Sequence, residues 1–88
     1  MNRPIKFRGR CVGNGTLLYG DLTHEFDDVY VGSWRVEPES VAQLVGFDKD
    51  GAEVYEGDII VNPRDNTRFK AAMNHIYTVK IYVKEAKT

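Results

Sequence analysis

Apolar and polar positions change places every few residues along this chain, and no apolar period of helical length runs through it. The densest stretch is Val36 to Val61. Val41, Leu44, Val45 and Phe47 make a short apolar run, and Asp48-Lys49-Asp50-Gly51 then supplies a hairpin turn whose Asp-Gly pair tolerates positive φ. Val54-Tyr55 resumes strand character, and Glu56-Gly57-Asp58 breaks it before Ile59-Ile60-Val61, whose β-branched side chains suit a buried strand. Three strands therefore fit into this stretch.

A weak echo of it lies near the N-terminus. Asn14-Gly15-Thr16-Leu17-Leu18-Tyr19-Gly20-Asp21-Leu22 aligns with Asp50-Gly51-Ala52-Glu53-Val54-Tyr55-Glu56-Gly57-Asp58-Ile59 if Glu56 is one inserted residue. An insertion inside a strand inverts every later side chain unless a bulge absorbs it, so Glu56-Gly57 is expected to be a bulge. Duplication and independent choice of the same turn residues both explain the echo.

Elsewhere Ile5-Lys6-Phe7-Arg8 reads as a strand with Ile5 and Phe7 inward, and Gly9 marks a bend or bulge within it. Val12 to Gly15 is a turn. Thr16 to His24 reads as a second strand with Tyr19 inward and an irregularity at Gly20-Asp21, and Glu25 to Asp28 as an acidic loop anchored by Phe26. Val29 to Val36 alternates as one strand, with Tyr30, Gly32, Trp34 and Val36 toward the core. Glu37-Pro38-Glu39-Ser40 predicts a turn or one short helical turn. Asn62 to Asn66 is a polar loop, Thr67 to Asn74 reads as further loop in preference to a capped short helix, and His75 to Lys84 alternates as a closing strand before a fraying tail, Glu85 to Thr88. Six or seven short strands at this spacing predict an all-β protein, a small barrel or roll of antiparallel strands in one domain over residues 1–88.

Size and charge sharpen this. An 88-residue chain sits below the ~100–150 residues of common domains, where a single core yields only a few kcal/mol and self-association is a natural supplement. The sole cysteine, Cys11, cannot form an internal disulfide, which suits a reducing compartment. Arg3, Lys6, Arg8 and Arg10 precede no apolar signal region, and no run approaches the ~18 apolar residues of a membrane span, so a soluble, cytoplasmic protein is expected. The net charge of −1 conceals three zones: residues 1–20 carry +4, residues 21–58 carry −9 and residues 59–88 carry +4. Such zones either set opposite charges on neighbouring strands, as pairs worth ~0.2–1 kcal/mol, or polarise the surface for a partner; the first is the simpler reading.

Candidate chemistry is sparse. His24 ends a strand beside the acidic loop and His75 opens the last strand, with no HxH or CxxC spacing that would pair them as metal ligands. Cys11 reads as a small core residue, and Asp21 and Asp58 as acceptors for their own turns. No catalytic residue, metal ligand or cofactor site is assigned, and an enzyme is not expected. A basic and aromatic set, Arg64, Arg68, Phe69 and Lys70 with Lys80, Tyr82 and Lys84, suggests contact with single-stranded nucleic acid. The pI of ≈ 6.1 lies far below the ~9 of dedicated nucleic-acid domains, and a solvated lysine face whose tyrosine packs on a neighbouring subunit explains the same residues.

Several of these pieces, taken together, resemble the YopX family of small proteins encoded by bacteriophages, prophages and other bacterial mobile elements. They are Ile5-Lys6-Phe7-Arg8, Tyr19-Gly20-Asp21-Leu22, Val36-Glu37-Pro38-Glu39-Ser40-Val41, Gln43-Leu44-Val45-Gly46, Asp48-Lys49-Asp50-Gly51 and Tyr55-Glu56-Gly57-Asp58-Ile59-Ile60, in order over about two thirds of the chain. Ala42 stands where the family tends to have glycine, and Pro63 to Thr88 does not align with the family's C-terminal portion. The resemblance implies an SH3-like barrel or roll and a tendency to form homo-oligomers, and it brings no activity, cofactor or site residue. The expected role is a non-enzymatic module for protein interaction or self-assembly in a bacterial host cell, with weak single-stranded nucleic-acid binding as the alternative.

Overall fold

The computed structural model describes residues 5–85. Their backbone follows the turn residues of the sequence: ten strands of two to six residues, all pairs antiparallel, form three sheets, joined in places by single 3-10 turns. The expected all-β class of a small barrel or roll is the class observed, one sheet curling into a half-barrel. Strands number ten because one expected strand, Thr16 to His24, is divided between two sheets, another, Val29 to Val36, is folded back on itself, and an expected loop contains a strand. The chain divides into two compact units between Gln43 and Leu44, each with its own core cluster.

In the first unit β1 (Phe7–Arg10) and β2 (Leu17–Gly20) form a hairpin in which Arg8 faces Tyr19 and Gly9 faces Leu18. Its loop is closed by the Cys11 N–H donating to the Thr16 carbonyl (2.8 Å) and by Asn14 Oδ1 accepting the Thr16 N–H (3.0 Å). The core side of this hairpin carries Leu18, half-buried, while Tyr19 lies 48% exposed and Ile5 68% exposed; the expectation that Tyr19 and Ile5 point inward is corrected. Gly9 is there for close approach, and the ladder runs through it without a bulge. A Cβ at this position would lie 3.0 Å from Val36 Cβ and Cγ2 and 3.1 Å from Val31 Cγ2.

The chain breaks at Gly20-Asp21, as expected, and continues as a meander of β3 (Leu22–Glu25), β4 (Asp28–Val31) and β5 (Trp34–Val36). The single strand expected over residues 29–36 is two strands, folded at Gly32-Ser33 with Gly32 at φ +63. A two-residue turn sets Val31 opposite Trp34 and Val29 opposite Val36, so odd positions before it share a face with even positions after it. The core therefore takes Val29, Val31 and Val36, with Leu18, Leu22 and Val41 against them, and Tyr30 turns to the other face. Trp34 overhangs the end of this core at 62% exposure. Phe26 anchors nothing: it is 97% exposed. The turn predicted at Glu37 to Ser40 is a 3-10 turn, Pro38–Ser40, whose Ser40 Oγ donates to the Glu37 carbonyl (2.6 Å) and accepts the Arg10 N–H (2.8 Å). β6 (Ala42–Phe47) crosses the boundary between units; its Ala42 and Gln43 pair with β1.

In the second unit the rest of β6 pairs with β7 (Glu53–Tyr55), and a register shift between Leu44 and Gly46 buries Leu44 and Val45 in succession. The bulge thus sits at Val45. Glu56-Gly57, expected to be a bulge that absorbs the inserted residue, is a tight turn in which the Asp58 N–H donates to the Tyr55 carbonyl (3.0 Å) and Gly57 takes φ +90. The extra residue is harmless at a corner because the chain leaves β7 there, so no ladder has to keep its parity: β8 (Ile59–Val61) pairs with β9 (Arg68–Lys70) and β10 (Val83–Lys84).

Residues 75–84 are not the expected strand. The 3-10 turn Met73–His75 leads into the segment, a turn at residues 76–78 and a second 3-10 turn, Val79–Ile81, fill most of it, and only Val83–Lys84 is extended. Met73, Ile76, Val79 and Tyr82 recur every third residue and pack on the cluster of Val45, Val54, Ile60 and Ala71, whereas Tyr77 and Ile81 of the period-two reading lie 76% and 62% exposed. Thr67 to Asn74, read as loop, contains β9. The tail expected to fray is anchored at Glu85, whose N–H donates to the Ile59 carbonyl (2.8 Å) and whose carboxylate meets Arg68 at 2.7 Å; residues 86–88, like Arg3 of the basic N-terminal zone, lie outside the described residues. The two echoed segments occupy equivalent places. Each is the second strand of its unit's opening hairpin followed by the first strand of a three-stranded sheet, although β4 is central in the first and β8 in the second.

Candidate functional site

Three loops of the second unit meet around a cleft of about 630 Å³ lined by Lys49, Asn62, Pro63, Arg64, Lys80 and Ile81. Each loop is fixed by its own polar residues. In the β6–β7 loop Asp48, 6% exposed, accepts the N–H groups of Asp50 (2.8 Å) and Ala52 (2.9 Å) on Oδ1 and that of Lys84 (2.8 Å) on Oδ2, while the next residue, Lys49, donates its N–H to the Tyr82 carbonyl (2.8 Å). Burial pushes the Asp48 carboxyl up, but the hydrogen bonds from Lys84, Ala52, Asp50 and Gly51 outweigh it and hold it below the ordinary carboxylate range. In the β8–β9 loop Asn62 Oδ1 accepts the Arg64 N–H (2.9 Å), and Asp65 Oδ1 accepts the N–H (3.0 Å) and hydroxyl (2.7 Å) of Thr67, which lower the Asp65 carboxyl. The third wall is the turn Val79–Ile81, pinned by fully buried Val79.

The cleft is cationic with an apolar side. Among the described residues neither Lys49 nor Arg64 makes an ion pair, and Lys80 Nζ stands 5.8 Å from the centre of the exposed Tyr77 ring.

The seven residues expected to touch nucleic acid are separated by the fold. Arg64 and Lys80 line the cleft, and Lys70 is exposed on β9. Arg68 is held by Glu85. Lys84 turns toward the β7–β8 corner, with Nζ 3.6 Å from Asp58 Oδ2 and 3.2 Å from the Glu53 carbonyl. The aromatic pair is half-buried at the core's edge: Phe69 stands edge-on to Tyr82 (5.0 Å between centres) and His75 (4.6 Å), and both Phe69 and Tyr82 pack on the buried cluster. Phe69 and Tyr82 are thus half-buried residues that pack on this unit's core. Lys49 was missed because its Asp-Lys-Asp-Gly setting signals only a turn, and nothing in the sequence places that turn beside Arg64 and Lys80.

Two of the groups capable of chemistry, Asp58 and His75, are used by the backbone. Asp58, 6% exposed, accepts the Tyr55 N–H (2.8 Å) and so closes its own turn as expected, while the Asp21 side chain is exposed and it is the Asp21 carbonyl that accepts a bond, from the Gly32 N–H (2.9 Å). His75 Nδ1 accepts the Ala72 N–H (3.0 Å), Cys11 is buried, and His24 is exposed on β3. Among the described residues no three His, Cys, Asp or Glu side chains converge as a metal ion requires. None of their helices is long and apolar enough to cross a membrane. No family model, curated protein or solved structure matches the chain.

Proposed function

We propose that this chain is a non-enzymatic interaction module of mobile-element descent, related to the YopX family and acting in the bacterial cytoplasm by protein contact and self-assembly. One observation carries the reading: large apolar side chains stand out at turns and rims where the cores do not use them, Phe26 at 97%, Tyr77 at 76%, and Trp34 and Ile81 at 62% exposure. Aromatic anchors of this kind supply most of the binding energy where proteins meet. The carboxylates and the imidazole best placed for chemistry are meanwhile committed to holding turns. Sedimentation velocity from about 10 µM to about 1 mM, with cross-linking in the bacterial cell, tests it, since mass action favours assembly as concentration rises. Concentration-dependent assembly or a discrete cross-linked protein partner supports the module; a strict monomer with neither overturns it.

A second reading has the cleft in its favour, because Lys49, Arg64 and Lys80 line it without a carboxylate. On that reading it holds the backbone of a single-stranded nucleic acid. Anisotropy of a labelled oligonucleotide then shows affinity that falls steeply with salt, and affinity flat in salt removes the reading.

A further inference from the structure

We infer that the cationic cleft receives the Phe26 hairpin of a second copy of this chain. The inference deepens the interaction reading above and rests on it. Between β3 and β4, Glu25 pairs with Asp28, so Phe26 and Asp27 alone form the turn. Phe26 sits there at φ +57, in the left-handed region, at the place where two-residue turns favour glycine. A bulky side chain in that conformation is strained, and at 97% exposure it gains no packing in its own chain. A strained residue retained without benefit to its own fold points to a contact outside it.

The chemistry of the tip selects the cleft. Phe26 stands between Glu25 and Asp27, with Asp28, which Arg35 meets at 3.9 Å, next, so an apolar anchor is flanked by carboxylates. The other aromatic and large aliphatic residues more than 60% exposed have the wrong company: Trp34 precedes Arg35, Ile5 precedes Lys6, and Tyr77 and Ile81 lie three residues before and one after Lys80. The cleft is the complement, apolar at Pro63 and Ile81 and cationic at Lys49, Arg64 and Lys80, and its 630 Å³ falls within the ~300–1,000 Å³ of small binding sites. Matching of opposite charges around an apolar anchor fixes the orientation of a contact and rejects like-charged partners. Each copy offers one tip and one cleft, so the contact joins different surfaces and builds closed or open assemblies depending on geometry.

Sedimentation velocity of the full chain at low salt tests this with three variants: Phe26→Asn, which suits positive φ and removes the anchor; Arg64→Glu with Lys80→Glu; and Glu25→Lys with Asp27→Lys. The wild type is expected at twice the monomer mass or more near 1 mM and at monomer mass near 0.5 M salt, where the screening length falls to a few ångströms. Each variant alone needs at least ~10-fold more protein to assemble, a loss of about 1.4 kcal/mol. The two charge-reversed chains, mixed, recover assembly that neither shows by itself, a result that general misfolding does not produce. Wild-type assembly equal to that of all three variants overturns the tip-in-cleft contact and leaves the interaction reading standing. A monomeric wild type overturns the contact, and if the cell also yields no cross-linked partner it overturns the wider reading. Salt-sensitive oligonucleotide binding that needs Arg64 and Lys80, alongside assembly indifferent to Phe26, gives the cleft to nucleic acid and overturns it too.

Discussion

At Gly9 a single missing methyl group decides whether the first unit closes. Val36 and Val31 occupy the space that a Cβ would need, and both are 1% exposed, so neither has solvent to retreat into. Gly9→Ala is expected to destabilise the protein by ~1–3 kcal/mol through overpacking. In a chain of this size 1 kcal/mol lowers Tm by roughly 4–8 °C, which a thermal melt reads directly. Truncating Val36 to Ala in the Gly9→Ala background should cost less than the two separate effects combined, since it opens the space the new methyl enters. Gly13→Ala, whose nearest neighbour is Cys11 Sγ at 3.9 Å, should change little. Phe26 shows the opposite imbalance. Phe26→Asn should raise thermal stability by up to ~1 kcal/mol, because asparagine tolerates a conformation that strains phenylalanine and no packing is lost. A glycine between strand residues was visible in the sequence; the valines above it were not, because they arrive from 22 and 27 positions further along the chain.

For the elements, the segment from His75 to Lys84 is the sharpest lesson. It satisfies two periods at once: alternation selects Tyr77, Val79, Ile81 and Val83, and threefold spacing selects Met73, Ile76, Val79 and Tyr82. Local pattern cannot choose between them. The choice falls to the concave surface offered by Val45, Val54, Ile60 and Ala71, which accepts the threefold stripe. Val79→Ala should therefore cost ~2 kcal/mol, while Ile81→Ala, at 62% exposure, should stay within ~0.5 kcal/mol; equal losses in a denaturant titration would restore the strand. Asp48 holds the β6–β7 loop through the N–H groups of Asp50 and Ala52 and ties it to β10 through that of Lys84. Its folded carboxyl is depressed below the 3.8 of a free side chain, so its stabilisation is full above that value and is lost as pH falls through the lower folded value. Asp48→Asn presents an amide N–H₂ where Lys84 needs an acceptor, and should lower neutral-pH stability by ~1–3 kcal/mol while flattening the acid limb of a Tm–pH curve.

Across the whole molecule, charge is sorted into zones, and its longer ion pairs do little to hold the fold. The pairs Arg10–Glu37 (4.0 Å) and Arg35–Asp28 (3.9 Å) are long and more than a third exposed, in the class of surface ion pairs worth ~0–1 kcal/mol. Raising salt to about 0.5 M should thus move the Tm by only a few degrees while dissolving any assembly driven by the acidic and basic zones. A melt and a sedimentation run on the same samples separate the two effects, and a collapse of Tm with salt would mean that ion pairs hold the fold. The amino-acid sequence by itself determined the extended local habit of the chain: short apolar runs, Gly, Asp and Asn at the turns, the 3-10 turn after Glu37, the self-closing Asp58 corner and an all-β outcome follow from steric and hydrogen-bonding preferences that act over four or five residues. Only the tertiary structure decided the rest, namely which face of residues 29–31 is buried, that Phe69 and Tyr82 pack against a core, and that Lys49, Arg64 and Lys80 share a cleft. Those outcomes depend on what lies opposite each side chain, and the opposing residues come from positions too distant for any local preference to register.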